Sequence, residues 1–150
     1  MQQTTPIEAG LCVIDLERML TFYSEALSCS EERRADIPAA LSAPLGMAAD
    51  GYLCVWLVTP QGERIKLMRP NTPPGQTDTP EYLTARTGLS YLTFYCSDLA
   101  DTLAQAENLG ATLRSDRALI GPDHPVQLCF FTDPEGNVIE LVETADGGRV

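Results

Sequence analysis

Thr132-Asp133-Pro134-Glu135-Gly136-Asn137-Val138-Ile139-Glu140-Leu141 is the stretch whose reading decides the fold. An Asp-Pro-Glu-Gly turn separates the apolar run Val126 to Phe131 from the alternating run Asn137 to Val142, the pattern of a β-hairpin. The same plan occurs earlier as Thr59-Pro60-Gln61-Gly62-Glu63-Arg64-Ile65-Lys66-Leu67, which joins Tyr52 to Val58 with Glu63 to Met68. The two glycines stand 74 positions apart (136 − 62). Working outward, Leu11-Cys12-Val13-Ile14-Asp15-Leu16 matches Phe94-Tyr95-Cys96-Ser97-Asp98-Leu99 at an interval of 83 (98 − 15). A repeat at two intervals means two copies of one unit, with nine extra residues in the first copy's connection.

Each copy has a physical reading. Asp15 and Asp98 close strand-like runs and precede helical patterns, where a carboxylate caps free backbone N–H groups. Leu16, Leu20, Tyr23 and Leu27 form one apolar stripe; Leu99, Leu103 and Ala106 form the other, which Gly110 ends. The chain is therefore read as α+β: two tandem β-α-β-β-β modules forming an open, eight-stranded, cleft-enclosing sheet in one domain. Module one covers about residues 6–70 and module two about 87–143. A Pro- and Gly-rich linker of about 70–86 joins them, and the tail 144–150 is expected to fray. Residues 30–50 are expected to hold one strand and then a short helix.

Composition excludes several classes of function. A formal net charge of −11 argues against a nucleic-acid surface, which needs clustered Lys and Arg. No apolar run reaches the roughly 18 residues of a membrane span, and the start Met1 to Pro6 has no signal-like core. The five cysteines are odd in number and form no C-x-x-C pair, so they read as buried, reduced thiols of a cytoplasmic protein.

Strand alternation assigns the faces. Ala9, Leu11, Val13, Leu53, Val55, Leu57, Ile65 and Leu67 face the helix in module one. Leu92, Phe94, Cys96, Val126, Leu128, Phe130, Ile139 and Leu141 are expected to do so in module two. The second face would then carry Glu8, Tyr52, Cys54, Trp56 and Lys66 from the first module. From the second it would carry Tyr91, Thr93, Tyr95, Gln127, Cys129, Phe131 and Glu140. Aromatics, thiols and ionisable groups in that mixture read as a cleft lining, and its aromatics suit a planar ligand. Each residue also has an ordinary role. Glu8 would serve as a solvated charge, Lys66 as an edge-strand charge, and Tyr91 as packing.

The pattern Val13-Ile14-Asp15-Leu16 with Phe22-Tyr23, and the segment Asp133 to Leu141, resemble the vicinal oxygen chelate superfamily over about residues 6–143. That superfamily contains glyoxalase I, methylmalonyl-CoA epimerase, fosfomycin- and bleomycin-resistance proteins and extradiol dioxygenases. The resemblance implies a homodimer and, in catalytic members, a divalent metal held at four positions. Carried over by motif, these are Glu8, Lys66, Tyr91 and Glu140. A protonated lysine cannot ligate, and the only histidine, His124, lies apart in a loop from Gly121 to Pro125. The expectation is a degenerate site with no metal and no cofactor, Lys66 standing between the two carboxylates; a divalent metal is the alternative. An iron dioxygenase is disfavoured because its site needs two histidines and a carboxylate.

Two functions follow from the resemblance. One is lyase- or isomerase-type proton transfer on a small carbonyl compound, with Glu140 or Glu8 as base and Lys66 and Tyr91 assisting. The other is metal-free sequestration of a small molecule, as in bleomycin-resistance proteins. The partner in either case is a small-molecule ligand held by Tyr52, Cys54, Trp56, Thr93, Tyr95, Gln127, Cys129 and Phe131, not a nucleic acid or a membrane.

Overall fold

The structure, a computed structural model, describes residues 2–75, 79–116, 118–120 and 126–144. The loop holding His124 and the tail beyond Thr144 lie outside the described residues. The chain divides into two compact units, Met1–Gln76 and Thr77–Val150. The division falls inside the linker expected at 70–86.

The first unit runs β1 (Glu8–Cys12), α1 (Leu16–Glu25), β2 (Ser30–Ile37), α2 (Ala39–Ser42), β3 (Tyr52–Val58) and β4 (Arg64–Pro70). Its sheet has the order β1-β4-β3-β2, with β1 parallel to β4 and the other pairs antiparallel. The second unit runs β5 (Leu92–Cys96), α3 (Leu99–Asn108), β6 (Thr112–Leu113), β7 (Ala118–Ile120), β8 (Val126–Thr132) and β9 (Val138–Thr144). Its order is β5-β9-β8-β6, and β7 also pairs with β8. The fourth strand position is thus taken by two short strands, β6 and β7, which makes nine strands among the described residues where eight were expected. The strand–helix–three-strand plan is present twice. The nine extra residues lie between helix and hairpin. β3 starts 27 positions after α1 ends (52 − 25), whereas β8 starts 18 positions after α3 ends (126 − 108). The strand and short helix expected within 30–50 are β2 and α2.

Local chemistry sets the boundaries. Asp15 Oδ1 accepts from the Arg18 amide at 3.1 Å, and Asp98 Oδ1 from that of Asp101 at 2.9 Å. These caps satisfy amides that have no partner within the helix. Behind them, α1 buries Leu16, Met19, Leu20, Phe22 and Tyr23, and α3 buries Leu99, Leu103 and Ala106. The spacing of three and four turns one side of each helix toward its sheet. α1 lies on β4 and α3 on β9, over the fully covered Val55, Leu57, Leu67, Ile139 and Leu141. Each such side chain contributes about 1.5–3 kcal/mol relative to an exposed one.

The hairpins repeat in detail. Thr59 N donates to Glu63 O, and Gly62 N to Thr59 O; Asp133 N donates to Asn137 O, and Gly136 N to Asp133 O. Gly62 and Gly136 sit at φ 93° and 92°, where a side chain would be strained. Their shared conformation explains why both turns keep glycine at the same place.

The helix ends differ. Gly110 closes α3 at φ 99°, but Ser28 follows α1 at φ 54°, the one non-glycine residue with positive φ among those described. The Cys29 amide then donates to Tyr23 O at 3.0 Å. Ser28→Gly should therefore raise stability by about 0.5–1 kcal/mol, since the left-handed cost to Ser exceeds the entropy cost of Gly. A higher urea midpoint at unchanged slope is the expected reading, and a lower midpoint would contradict it.

All five cysteines lie outside disulfides, but Cys12 is exposed and Cys96 only half-buried, against the expectation of buried thiols. Cys29 is buried and its thiol is pushed up to about 11 by loss of solvation.

Candidate functional site

In an antiparallel or parallel pair, residues directly across from one another project from the same face. In the first sheet, one row reads Gly10, Lys66, Trp56, Arg33, from β1 through β4 and β3 to β2. Glu8 and Arg64 stand opposite each other on the same face. Lys66 Nζ lies 2.5 Å from Glu8 Oε2, and Arg64 Nη1 lies 3.6 Å from Glu8 Oε1. Arg64 also grips Glu32 with two bonds, Nε to Oε2 at 2.8 Å and Nη2 to Oε1 at 2.6 Å. Glu32 reaches it because the pairing register of β2 shifts between Glu31 and Arg33. Arg33 lays its guanidinium on Trp56, 3.8 Å from the ring centroid, and Lys66 Nζ stands 6.0 Å from the same centroid.

Charge follows contact. The hydrogen bond from Lys66 holds the Glu8 carboxyl below its ordinary range, with Arg64 and Arg33 acting the same way. Arg64 does this to Glu32. The stabilisation linked to Glu8 is present above the ordinary carboxylate range and is lost as pH falls through the lowered value. A carboxylate held ionised in this way is also a weak base.

In the second sheet the row equivalent to Gly10–Lys66–Trp56 is Thr93–Glu140–Phe130. Thr93 Oγ1 donates to Glu140 Oε2 at 2.7 Å. Tyr91, 40% exposed, meets Phe130 edge to face with centroids 5.2 Å apart. Glu143 lies on the other face, where its Oε2 accepts the Leu99 amide at 2.7 Å and adds a negative charge to the N-terminus of α3.

Of the residues expected on the second face, Glu8, Tyr52, Cys54, Trp56 and Lys66 share it in the first unit. Thr93, Tyr95 and Glu140 share it in the second, and Tyr91 touches it through Phe130. Gln127, Cys129 and Phe131 do not. Cys129 pairs with Leu141 and Phe131 with Ile139, so they face the helix and both are 0% exposed. Gln127 pairs with Glu143 on that side. Leu128 and Phe130 take the opposite face with Val142 and Glu140. The phase of β8 is thus the reverse of the expected one, because a run of five apolar residues among six carries no alternation. The repeat interval held the missing signal: Trp56 plus 74 is Phe130. Arg33 was missed for a different reason, since its face depends on the register shift at Glu32.

The four positions carried over from metal-binding relatives can be tested by donor chemistry. Both Glu8 oxygens already face cations, and Lys66 offers an ammonium where a lone pair is needed. Among the described residues no group of three His, Cys, Asp or Glu side chains is placed to hold a metal ion. A divalent metal does not fit these residues. A cavity of about 200 Å³ in the first unit lies elsewhere, lined in part by Val13, Ile14, Arg69 and Asn71, and contains none of the expected site residues.

Comparison with known proteins agrees with this architecture. A glyoxalase family protein from Bacillus cereus superposes with a TM-score of 0.81 at 22% identity, covering 96% of each chain. A glyoxylase/bleomycin resistance protein/dioxygenase domain from Frankia sp. gives 0.66 at 20% identity, covering 98% of this chain and 96% of that one. A glyoxalase I mutant from Zea mays gives 0.67 at 17% identity; the match takes in 90% of this chain but only 43% of that one. At these identities the likeness is one of fold. No curated protein matches the sequence. The family profile described as Glyoxalase/Bleomycin resistance protein/Dioxygenase superfamily matches residues 5–141, the span that holds both copies of the repeat. With the strand order and hairpins duplicated across that span, the chain belongs to the glyoxalase/bleomycin resistance protein/dioxygenase superfamily.

Proposed function

We propose that this chain binds a small carbonyl-containing molecule on the polar faces of its sheets without a resident divalent metal. The observation that supports this reading is the Lys66–Glu8 contact at 2.5 Å, which puts an ammonium on a carboxylate that metal-binding relatives would give to the ion. Elemental analysis of protein prepared without chelator should find well under one equivalent of zinc, nickel, iron or manganese. One equivalent per chain, lost in Glu140→Gln, would overturn the proposal. Lys66→Glu should raise metal uptake, because it removes a positive charge and supplies a further carboxylate.

Glu140 favours a second reading, proton transfer beside the carbonyl of the ligand. Its carboxylate accepts from the Thr93 hydroxyl and has no ion pair among the described residues, whereas both Glu8 oxygens face cations. On this reading the chain is a lyase or isomerase with Glu140 as base, and Tyr91 serves beside it. Exchange of a substrate's α-proton in heavy water, abolished in Glu140→Gln, would establish this reading.

The chain acts as a homodimer on this proposal, since β1 and β5 are edge strands of their sheets. Light scattering at tens of micromolar protein should give twice the chain mass, and a monomer mass would refute the dimer. Cysteines outside disulfides support a reducing compartment such as the cytoplasm. Among the described residues no helix is long and apolar enough to cross a membrane.

A further inference from the structure

The polar face of the first sheet is unusual in its charge. It carries three cations, Arg33, Arg64 and Lys66, against two carboxylates, Glu8 and Glu32, in a chain whose formal net charge is −11. The donors are not equally engaged. Arg64 spends its fork on Glu32 and its third nitrogen near Glu8, and Lys66 meets Glu8. Each of the four carboxylate oxygens therefore already faces a cation. Arg33 is left over: exposed, without an ion pair among the described residues, and seated over Trp56 with Cζ 3.8 Å from the ring centroid.

Stacking on an indole leaves the N–H edges of a guanidinium pointing away in its own plane. Those edges match the two oxygens of a carboxylate, and the fixed plane lowers the entropy lost when they are taken up. We infer that Arg33, mounted on Trp56, is a binding site for the carboxylate group of a small organic anion. The inference rests on the ligand-binding reading of this face and names the chemical class of the ligand. It also changes the role of Trp56. With Arg33 and Lys66 beside it in the same row, the indole is the platform for a cation, and the ligand meets the guanidinium edge rather than the ring face. Lys66 adds long-range attraction without a direct bond, since its ammonium is held by Glu8.

Trp56 is the only tryptophan of the chain, so its fluorescence reports on this site alone. The probes are benzoate and its neutral analogue benzamide, titrated at constant ionic strength, with calorimetry in parallel. Benzoate should give a saturable change, and benzamide should bind about tenfold more weakly or not at all. Arg33→Gln should weaken benzoate by about tenfold or more, and Arg33→Lys by a smaller factor, since it keeps the charge but loses the planar fork. If Arg33→Gln fails to fold, Arg33→Lys carries the test. Arg18→Gln, on the exposed side of α1, should leave binding unchanged. Equal binding of benzoate and benzamide would overturn the anion assignment while leaving the ligand-binding reading of the face in place. Benzoate binding seen by calorimetry but silent at Trp56, or undiminished in both Arg33 variants, would place the anion site elsewhere. No binding of benzoate at millimolar concentration would overturn the inference.

Discussion

Phe131→Ala should lower the free energy of unfolding by about 3–5 kcal/mol, because it removes a fully buried aromatic ring and leaves a cavity facing α3. Phe131 is 0% exposed and stands across from Ile139 on the helix side of the second sheet. Its neighbour gives the contrast. Phe130 is half-buried on the other face, and its ring meets Tyr91 edge to face. Phe130→Ala should cost about 1 kcal/mol, most of it from the lost aromatic pair. Urea denaturation of the two variants decides the phase of β8: a larger loss for Phe130→Ala would restore the opposite phase and return Phe131 to the polar face.

Asp133→Ala should cost about 2–3 kcal/mol, the range for stranding buried donors that a charged acceptor had satisfied. Asp133 is 2% exposed, and its carboxylate accepts from the amides of Glu135 and Asn137, each at 2.9 Å, and from Asn137 Nδ2 at 2.8 Å. The equivalent turn in the first unit is held by Thr59, whose hydroxyl accepts from the Glu63 amide at 3.2 Å and donates to Glu63 Oε2 at 2.5 Å, both part-buried. Thr59→Ala should cost less, about 1–1.5 kcal/mol, because its two bonds are only part-buried and water can take up the groups they leave. Thermal and urea midpoints of both variants provide the measurement. Equal losses at the two turns would show that the carboxylate bonds of Asp133 add nothing to the turn.

Much of the fold could be read along the chain. The Asp-Pro-Glu-Gly turn, its earlier counterpart at Gly62 and the two capping aspartates are local devices, each determined by residues within a few positions. They placed both hairpins, both helices and the duplication. The helix-facing Ile65 and Leu67 were also legible, because Arg64 and Lys66 mark the alternation; Leu11, Val13, Val55 and Leu57 lie in runs without that polar marking and were phased by taking the greasier face. In β8 that alternation is absent, and the reading of Gln127, Cys129 and Phe131 failed there. The split of the fourth strand position into β6 and β7 was equally hidden, since two- and three-residue strands leave no period to detect.

What the sequence by itself determined is thus the set of elements and their repetition, together with the family that shares them. What only the tertiary structure decided is which side chains meet. Glu8 and Lys66 lie 58 positions apart (66 − 8) and come together through the parallel pairing of β1 with β4. Arg33 comes to rest on Trp56, and Glu32 reaches Arg64, because the register of β2 on β3 shifts by one residue. Thr93 meets Glu140 through the pairing of β5 with β9. Turns and caps are short-range and written in consecutive residues. A strand's partner and its register are set by how whole faces pack, and a shift of one residue in that packing changes which charges meet.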